Sequence, residues 1–377
     1  MTISAILIVV CYALLLLWFV FGFYKLKAFT LPKNDVSLPT TFSVIIPFRN
    51  EAKNLPALLE SLSLVQYPNT HWEVIFVNDH SEDESSEIIT NYLKNHPEME
   101  WQILHLDTVQ GSAKKAAIEK AISHTKHNWV ITTDADCTVP EKWLLCFHGF
   151  IRESPCRMVA APVSYHPSRT FLNRFQLLDF LSLMGATMGG FGAGTPFMCN
   201  GANLAYEKNT FLAVNGFSGN KHIAGGDDIF LLEKINRKYA GSIKFLKAKE
   251  ALVLTKPESS LRNLLAQRVR WAAKAASYKS FIAVFTGILV FLMNMLLLTL
   301  FSLFVYGTIS YHMFLYVFVI KFNIDFLLLY PTALFLKQEN TLTSYFQSSL
   351  IYPVFCSLVA LRSFWGSYYW KGRKYKR

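Results

Sequence analysis

Three things are missing from this sequence, and each narrows what the chain can be. Its six cysteines, Cys11, Cys137, Cys146, Cys156, Cys199 and Cys356, follow no metal-ligand or redox spacing. They read as reduced packing residues facing a cytosolic compartment, which sets aside a disulfide or zinc scaffold. The N-terminus lacks both a basic start and a small-residue cleavage site, against a removed signal peptide. Finally, Lys and Arg outnumber Asp and Glu by 37 to 26, a formal charge of +11, yet no groove-binding motif accompanies the excess. Nucleic acid is therefore not the expected partner; anionic lipid and a phosphate-bearing ligand account for the charge better.

What is present is apolar surface: 52% of the 377 residues are hydrophobic and 15% aromatic, too much for an ordinary soluble protein of this length. The excess is localised. Thr2 to Tyr24 is an apolar run followed by Lys25 and Lys27, read as an uncleaved anchor over residues 1–27 with its C-terminal end cytosolic. A second block covers 281–370. Phe281 to Tyr306 and Tyr311 to Leu336 are each long enough to span, and the second carries Lys321 and Asp325 four residues apart, placed to pair on a helix rather than to transport. Thr343 to Trp370 is interrupted by Pro353, Arg362 and several serines. Either it spans and puts the basic tail 371–377 outside, or it is re-entrant or interfacial and leaves the tail cytosolic.

Between the apolar blocks, 41–277 has ordinary polarity and alternates strand with helix. Strands are expected at 42–47, 73–77, 101–106, 129–133 and around 158–163, with helices between them, which implies a parallel sheet covered by helices. Successive strands end in polar or acidic residues, so the polar groups converge on the edge where such sheets bind ligands. Asp134 and Asp136 close the fourth strand. Two carboxylates so close suit Mg²⁺ or Mn²⁺ bridging to a phosphate, although an Asp-rich solvated turn fits the same residues.

The ordered set Val44-Ile45-Ile46-Pro47-Phe48-Arg49-Asn50-Glu51, Val77-Asn78-Asp79-His80-Ser81, Asp134-Ala135-Asp136, Gly226-Asp227-Asp228 and Gln267-Arg268-Val269-Arg270-Trp271 resembles the membrane-bound family 2 glycosyltransferases. The likeness is to the branch with ceramide and carotenoid-acid glycosyltransferases, more distantly to hyaluronan, cellulose and poly-N-acetylglucosamine synthases, and covers roughly Phe42 to Trp271. It implies a Rossmann-like, glycosyltransferase A-type α/β domain that binds a nucleotide-sugar, joined to transmembrane helices.

The resemblance also implies roles. Pro47 and Glu51 sit where the nucleotide is held. Asp79 matches the carboxylate that contacts uracil, although the family usually has Asp-Asp where this chain has Asn78-Asp79. Lys114 resembles a lysine near the donor, or with Lys115, Glu119 and Lys120 lies on a solvated helix face. Asp136 is the more direct metal ligand and Asp134 lies nearer the ribose or donor sugar. Asn200 belongs to an acceptor-side segment. Asp228 is the catalytic base, and Asp227 can cap its helix. Gln267, Arg270 and Trp271, three and four apart, share a face where Arg270 can fork onto diphosphate and Trp271 can stack on a sugar or lipid head. Phe171 to Met184 reads as a helix lying in the membrane surface or as a buried core helix, and the Gly-rich stretch from Gly189 to Pro196 as flexible.

The expected protein is an inverting hexosyltransferase using a UDP-sugar and Mg²⁺ or Mn²⁺ on a membrane lipid or lipid-linked acceptor, multi-pass in the cell membrane with a cytosolic catalytic domain. The alternatives are a processive polysaccharide synthase and a carrier or scaffold with a degenerate domain of this kind.

Overall fold

The computed structural model describes residues 3–32, 39–107, 111–275, 277–364, 368–370 and 373–375. It divides into two compact units: Lys27–His166 with Met198–Lys256, and Met1–Leu26 with Pro167–Phe197 and Pro257–Arg377. Within the stretch expected as one catalytic domain, residues 167–197 and those from 257 onward therefore cluster with the long apolar helices. The chain begins in that helical unit with α1 (Ile3–Lys25).

The α/β unit follows with β1 (Phe42–Phe48), α2 (Leu55–Ser63), β2 (Trp72–Asn78), α3 (Ser85–Asn95), β3 (Trp101–His105), α4 (Ala113–His124) and β4 (Trp129–Thr132). The alternation arises from local pattern. β1 and β2 are near-continuous apolar runs buried on both faces, as central parallel strands are. On α2 the residues Leu55, Leu58, Leu59 and Leu62 fall on one side and are fully buried, each contributing about 1.5–3 kcal/mol of transfer free energy. Next come β5 (Cys137–Thr138), α5 (Trp143–Glu153), β6 (Met158–Ala160) and β7 (Val163–Tyr165). After α6 (Phe171–Gly192), which belongs to the helical unit, the α/β unit is completed by β8 (Leu204–Glu207), α7 (Lys208–Ala213), α8 (Asp227–Lys238), β9 (Ile243–Phe245) and β10 (Val253–Thr255).

The main sheet runs β3-β2-β1-β4-β8-β6-β9. Its first four strands are parallel, as expected, but β8 runs antiparallel to both β4 and β6, so the sheet is mixed. The single fifth strand expected around 158–163 is also two strands. Pro162 cannot donate to a ladder, and after it the chain leaves the main sheet to pair as β7 with β10 in a three-stranded sheet, β5-β10-β7. The register places the site: Phe48 opposes Asn78, Asn78 opposes His105, and Thr132 at the end of β4 opposes Leu204 at the start of β8. The residues after β1, β2 and β4 and those just before β8 thus emerge at one edge.

The helical unit contains α1, α6, α9 (Leu261–Ala275), α10 (Phe281–Val305), α11 (Tyr311–Phe335) and α12 (Tyr345–Phe364). Four helical stretches, Ile3–Lys25, Phe281–Val305, Tyr311–Phe335 and Glu339–Phe364, are long and apolar enough to cross a membrane. Their outward residues include Leu14, Phe21, Ile288, Phe301, Tyr316 and Leu350, an apolar surface too extensive for water. Lys321 pairs with Asp325 at 2.5 Å, as the spacing requires, and the Tyr12 hydroxyl donates to the other carboxylate oxygen at 2.6 Å. Beyond α12 two short strands, β11 (Tyr368–Trp370) and β12 (Arg373–Tyr375), pair antiparallel, and residues 371–372 and 376–377 of the basic tail lie outside the described residues.

The expectation for the glycines of α6 is corrected. Residues 189–192 are helical rather than flexible, and α6 is largely buried. A Cβ on Gly22 of α1 would lie 1.9 Å from the Gly189 oxygen, and one on Gly192 would lie 1.8 Å from the Gly22 oxygen. The two backbones touch, which only glycine permits.

Candidate functional site

At the edge of the main sheet the site is built around Lys114, in the first turn of α4. Its ammonium lies 2.6 Å from Asp134 Oδ1, just past β4, and 3.5 Å from Asp227 Oδ2, at the first position of α8. Burial alone would lower the lysine's pKa, but Asp134, Asp227 and Asp228 outweigh it and hold the group charged well above the usual lysine range. The reading of this segment as a solvated face is thereby corrected for Lys114, whose side chain is 17% exposed.

It is corrected more strongly for Lys115, which is fully buried. Its ammonium donates to the carbonyls of Asn220 (2.7 Å) and Ile223 (3.0 Å) and lies over the rings of Phe230 and Phe217. Backbone acceptors and aromatic faces replace water around the charge. Burial still pulls its pKa down to about 8, against the opposing pull of Asp227 and Asp228. Lys115 thus fastens the segment that leads into α8.

That segment ends in Gly225 and Gly226, both in the left-handed region at φ 74° and 67°. Such a pair is open to glycine and turns the chain sharply into α8. Gly226 takes the N-cap position and Asp227 the first helical one, and the Asp227 carboxylate lies beside Lys114. Asp228 accepts from the backbone N–H of Gly201 at 3.1 Å and of Ile229 at 2.8 Å.

Gly201 sits where Asp227, Asp228 and Lys114 meet. A Cβ there would lie 3.1 Å from Asp227 Oδ2 and 3.7 Å from Lys114 Nζ. Its carbonyl accepts from Thr132 Oγ1 at 2.7 Å, tying the turn before β8 to the end of β4. Asn200, assigned to substrate by resemblance, uses its side-chain oxygen to accept from Ala202 N within its own turn. The fixing residue that sequence reasoning missed is Asn203. Fully buried, it accepts from Trp143 Nε1 and donates to the carbonyls of Pro162 and Ala251, joining three segments of the unit.

On the β1–β2 side, Asp79 is mostly buried beside His80, with an Oδ1 to Nδ1 distance of 3.2 Å, and its carbonyl accepts from Arg49. Asn78, where the resembled family has an acid, donates to Ser86 and accepts from Ser81 N, so it builds the turn. Glu51 accepts from Asn54 at 2.6 Å, and its N–H donates to Ser85. Pro47 lies in β1, half-buried. Two buried thiols lie nearby, Cys137 after Asp136 and Cys199 before Asn200, and burial pushes both well above the usual range.

Among the described residues no three His, Cys, Asp or Glu side chains gather to enclose an ion. The donor set near the end of β4 is oxygen only, the carboxylates of Asp134 and Asp136, the latter half-buried. It fits a hard divalent cation that completes its shell with water and substrate phosphate, and does not fit a soft or fully caged metal.

Gln267, Arg270 and Trp271 lie on α9 of the helical unit, all half-buried and flanking the inward residues Leu264 and Arg268. Trp271 faces the ring of Phe180 on α6, with centroids 6.4 Å apart. Gln267 Nε2 donates to Glu258 at 2.9 Å.

Two family models match the sequence: one described as Glycosyl transferase family 2, over residues 43–211, and one as Glycosyl transferase family group 2, over 129–337. The dolichyl-phosphate beta-glucosyltransferase ALG5C of Trichomonas vaginalis is 32% identical over 126 residues, 30% of this chain and 36% of that protein. The poly-beta-1,6-N-acetyl-D-glucosamine synthase of Staphylococcus epidermidis is 24% identical over 255 residues, 66% of this chain and 59% of that protein. Less than two thirds of either relative is therefore spanned. Among solved structures, the mannosyltransferase PcManGT from Pyrobaculum calidifontis, in complex with GDP-Man and Mn²⁺, has a TM-score of 0.61 at 16% identity, covering 92% of this chain and 97% of that one, a likeness of fold.

Proposed function

We propose that this chain, which belongs to glycosyl transferase family 2, transfers a hexosyl unit from a UDP-sugar to a membrane lipid or lipid-linked acceptor with inversion at the anomeric carbon. The observation that carries this reading is the gathering of Asp134, Asp227 and Asp228 around one lysine at the carboxyl edge of the sheet, in a chain whose described residues include four helical stretches of membrane-spanning length.

Each residue has work to do in the reaction. Asp228, its carboxylate oriented by the Gly201 and Ile229 amides, takes the proton of the acceptor hydroxyl as that oxygen attacks the anomeric carbon. The bond from that carbon to the diphosphate breaks on the opposite face, and UDP departs with the electron pair. Lys114 balances the negative charge that Asp134 and Asp227 place beside Asp228. Asp136, with Asp134 beside it, would hold Mg²⁺ or Mn²⁺, which when bound supplies Lewis-acid neutralisation of the diphosphate. Pro47, Glu51 and Asp79 bound the nucleotide end; Gln267, Arg270 and Trp271 bind the diphosphate and acceptor; Asn200 shapes the acceptor-side turn. The catalytic unit is cytosolic in a multi-pass protein.

A processive synthase is the second reading, favoured by the match to the poly-N-acetylglucosamine synthase across 66% of the chain. The experiment that separates them incubates the purified protein in detergent with UDP-glucose, UDP-N-acetylglucosamine or GDP-mannose, a membrane lipid extract and Mn²⁺, and analyses products by mass. A lipid bearing one hexose, abolished by chelator, supports the proposal; a ladder of longer chains replaces it with polymer synthesis; transfer only from GDP-mannose overturns the donor class.

A further inference from the structure

The helical unit holds a buried ion pair that the proposed chemistry does not use. Asp179 is a lone carboxylate in the apolar helix α6, and its Oδ2 accepts from Arg268 Nε on α9 at 2.5 Å. Both residues are nearly inaccessible, at 7% and 5% exposed, so neither can touch a solute. The other carboxylate oxygen accepts from the Tyr352 hydroxyl of α12 at 3.1 Å. Arg268 lies between the two substrate-facing residues of its own helix. It donates to Gln267 Oε1, and its guanidinium stacks over the Trp271 ring at 4.2 Å. The opposite end of the Gln267 amide is held by Glu258, whose backbone is clamped by the fully buried Gln176, again on α6. A charged residue in an apolar helix is expensive and calls for a partner; this partner fixes two others.

Resting on the reading that Gln267 and Trp271 face substrate, we propose that Arg268, anchored by Asp179 and Tyr352, is the positioning residue that sets both side chains. The rate of transfer then depends on a salt bridge that contacts no substrate. Misplacement of a positioned group by about 1 Å costs up to roughly 10²-fold in rate, so the salt bridge should act on kcat.

The test uses the full chain in detergent. Breaking one partner leaves a buried charge and endangers folding, so the informative variant is the double Asp179→Asn/Arg268→Gln, which removes both charges; Asp179→Glu is the conservative control. The expected result for the double variant is a fall in kcat of about 10- to 100-fold with KM for UDP-glucose or UDP-N-acetylglucosamine within about twofold, and recovery of most activity in Asp179→Glu. In protein labelled with 5-fluorotryptophan, the ¹⁹F resonance identified by its loss in Trp271→Phe should move in the double variant while the others stay. An unmoved resonance, or an undiminished kcat, overturns the positioning role. Gln267→Ala and Trp271→Phe test the underlying reading: if both keep full kcat, that reading fails and the positioning role falls with it, whereas if they lose kcat and the double variant does not, positioning alone is overturned.

Discussion

At the scale of single residues, the molecule is governed by how it keeps charge where water is scarce. Lys114 and Lys115 are adjacent on α4 yet solve that problem differently, one with carboxylates and the other with carbonyls and rings. Removing Lys114 would take away the ammonium that pairs with buried Asp227 and with Asp134. Lys114→Met is therefore expected to cost roughly 3 kcal/mol and to lower the unfolding temperature clearly, while Lys114→Arg keeps most of the stability; thermal unfolding in detergent measures both. For Lys115 the sign is opposite. Its folded pKa of about 8 lies below the ordinary value of 10.5, so below pH 8 both states are protonated and the folded chain bears the full burial cost. Between pH 8 and 10.5 the unfolded chain binds more protons, and this residue's contribution to stability rises with pH. Lys115→Met should remove a rise on the order of 1–2 kcal/mol between pH 7 and 9.5, read from unfolding temperatures of both proteins across that range. An unchanged pH profile in the variant contradicts a buried, charged Lys115. That Asp79 and Asp134 follow strands and that Asp227 and Asp228 open a helix was legible in the sequence, because apolar runs and a Gly-rich turn mark those positions. Lys115 and Asn203 were not, because only tertiary contact distinguishes a buried polar residue from a solvated one.

At the scale of elements, local pattern carried far. The strands β1 to β4 and the helices between them follow from apolar runs and helical spacing, and the spans α10 and α11 lie within one residue of their expected bounds. What failed depended on distant partners. That β8 runs antiparallel is set by the return of the chain from α6, and that Pro162 separates β6 from β7 is set by β10. The glycines of the stretch from Gly189 to Pro196 read as flexible because the sequence does not show that α1 lies against Gly189 and Gly192. This yields a sharp expectation. A Cβ at Gly189 would sit 2.5 Å from the Phe19 oxygen, so Gly189→Leu should force α1 from α6 and destabilise the protein, whereas Gly194→Ala, with nothing within 4 Å of the added atom and strain only from its φ of +81°, should cost about 1–2 kcal/mol at most. Unfolding temperature and monodispersity in detergent report the difference, and a stable Gly189→Leu would rule out the close crossing.

At the scale of the whole molecule, charge and apolar length set the orientation we propose. With Lys25 and Lys27 inside and α10 and α11 crossing, the loop holding Thr308 faces out and the α/β unit faces the cytosol. In a cysteine-free background, Thr308→Cys should label with an impermeant maleimide on intact cells and Lys94→Cys only after permeabilisation; the reverse pattern inverts the protein in the membrane. The central claim is that Asp228 takes the acceptor's proton during transfer to lipid. Its most direct measurement is the turnover of UDP-sugar into glycolipid by Asp228→Asn, set beside the affinity of the same protein for the UDP-sugar. Turnover should fall by roughly 10²–10⁴ with affinity nearly unchanged. An Asp228→Asn protein that transfers at the wild-type rate would contradict the account.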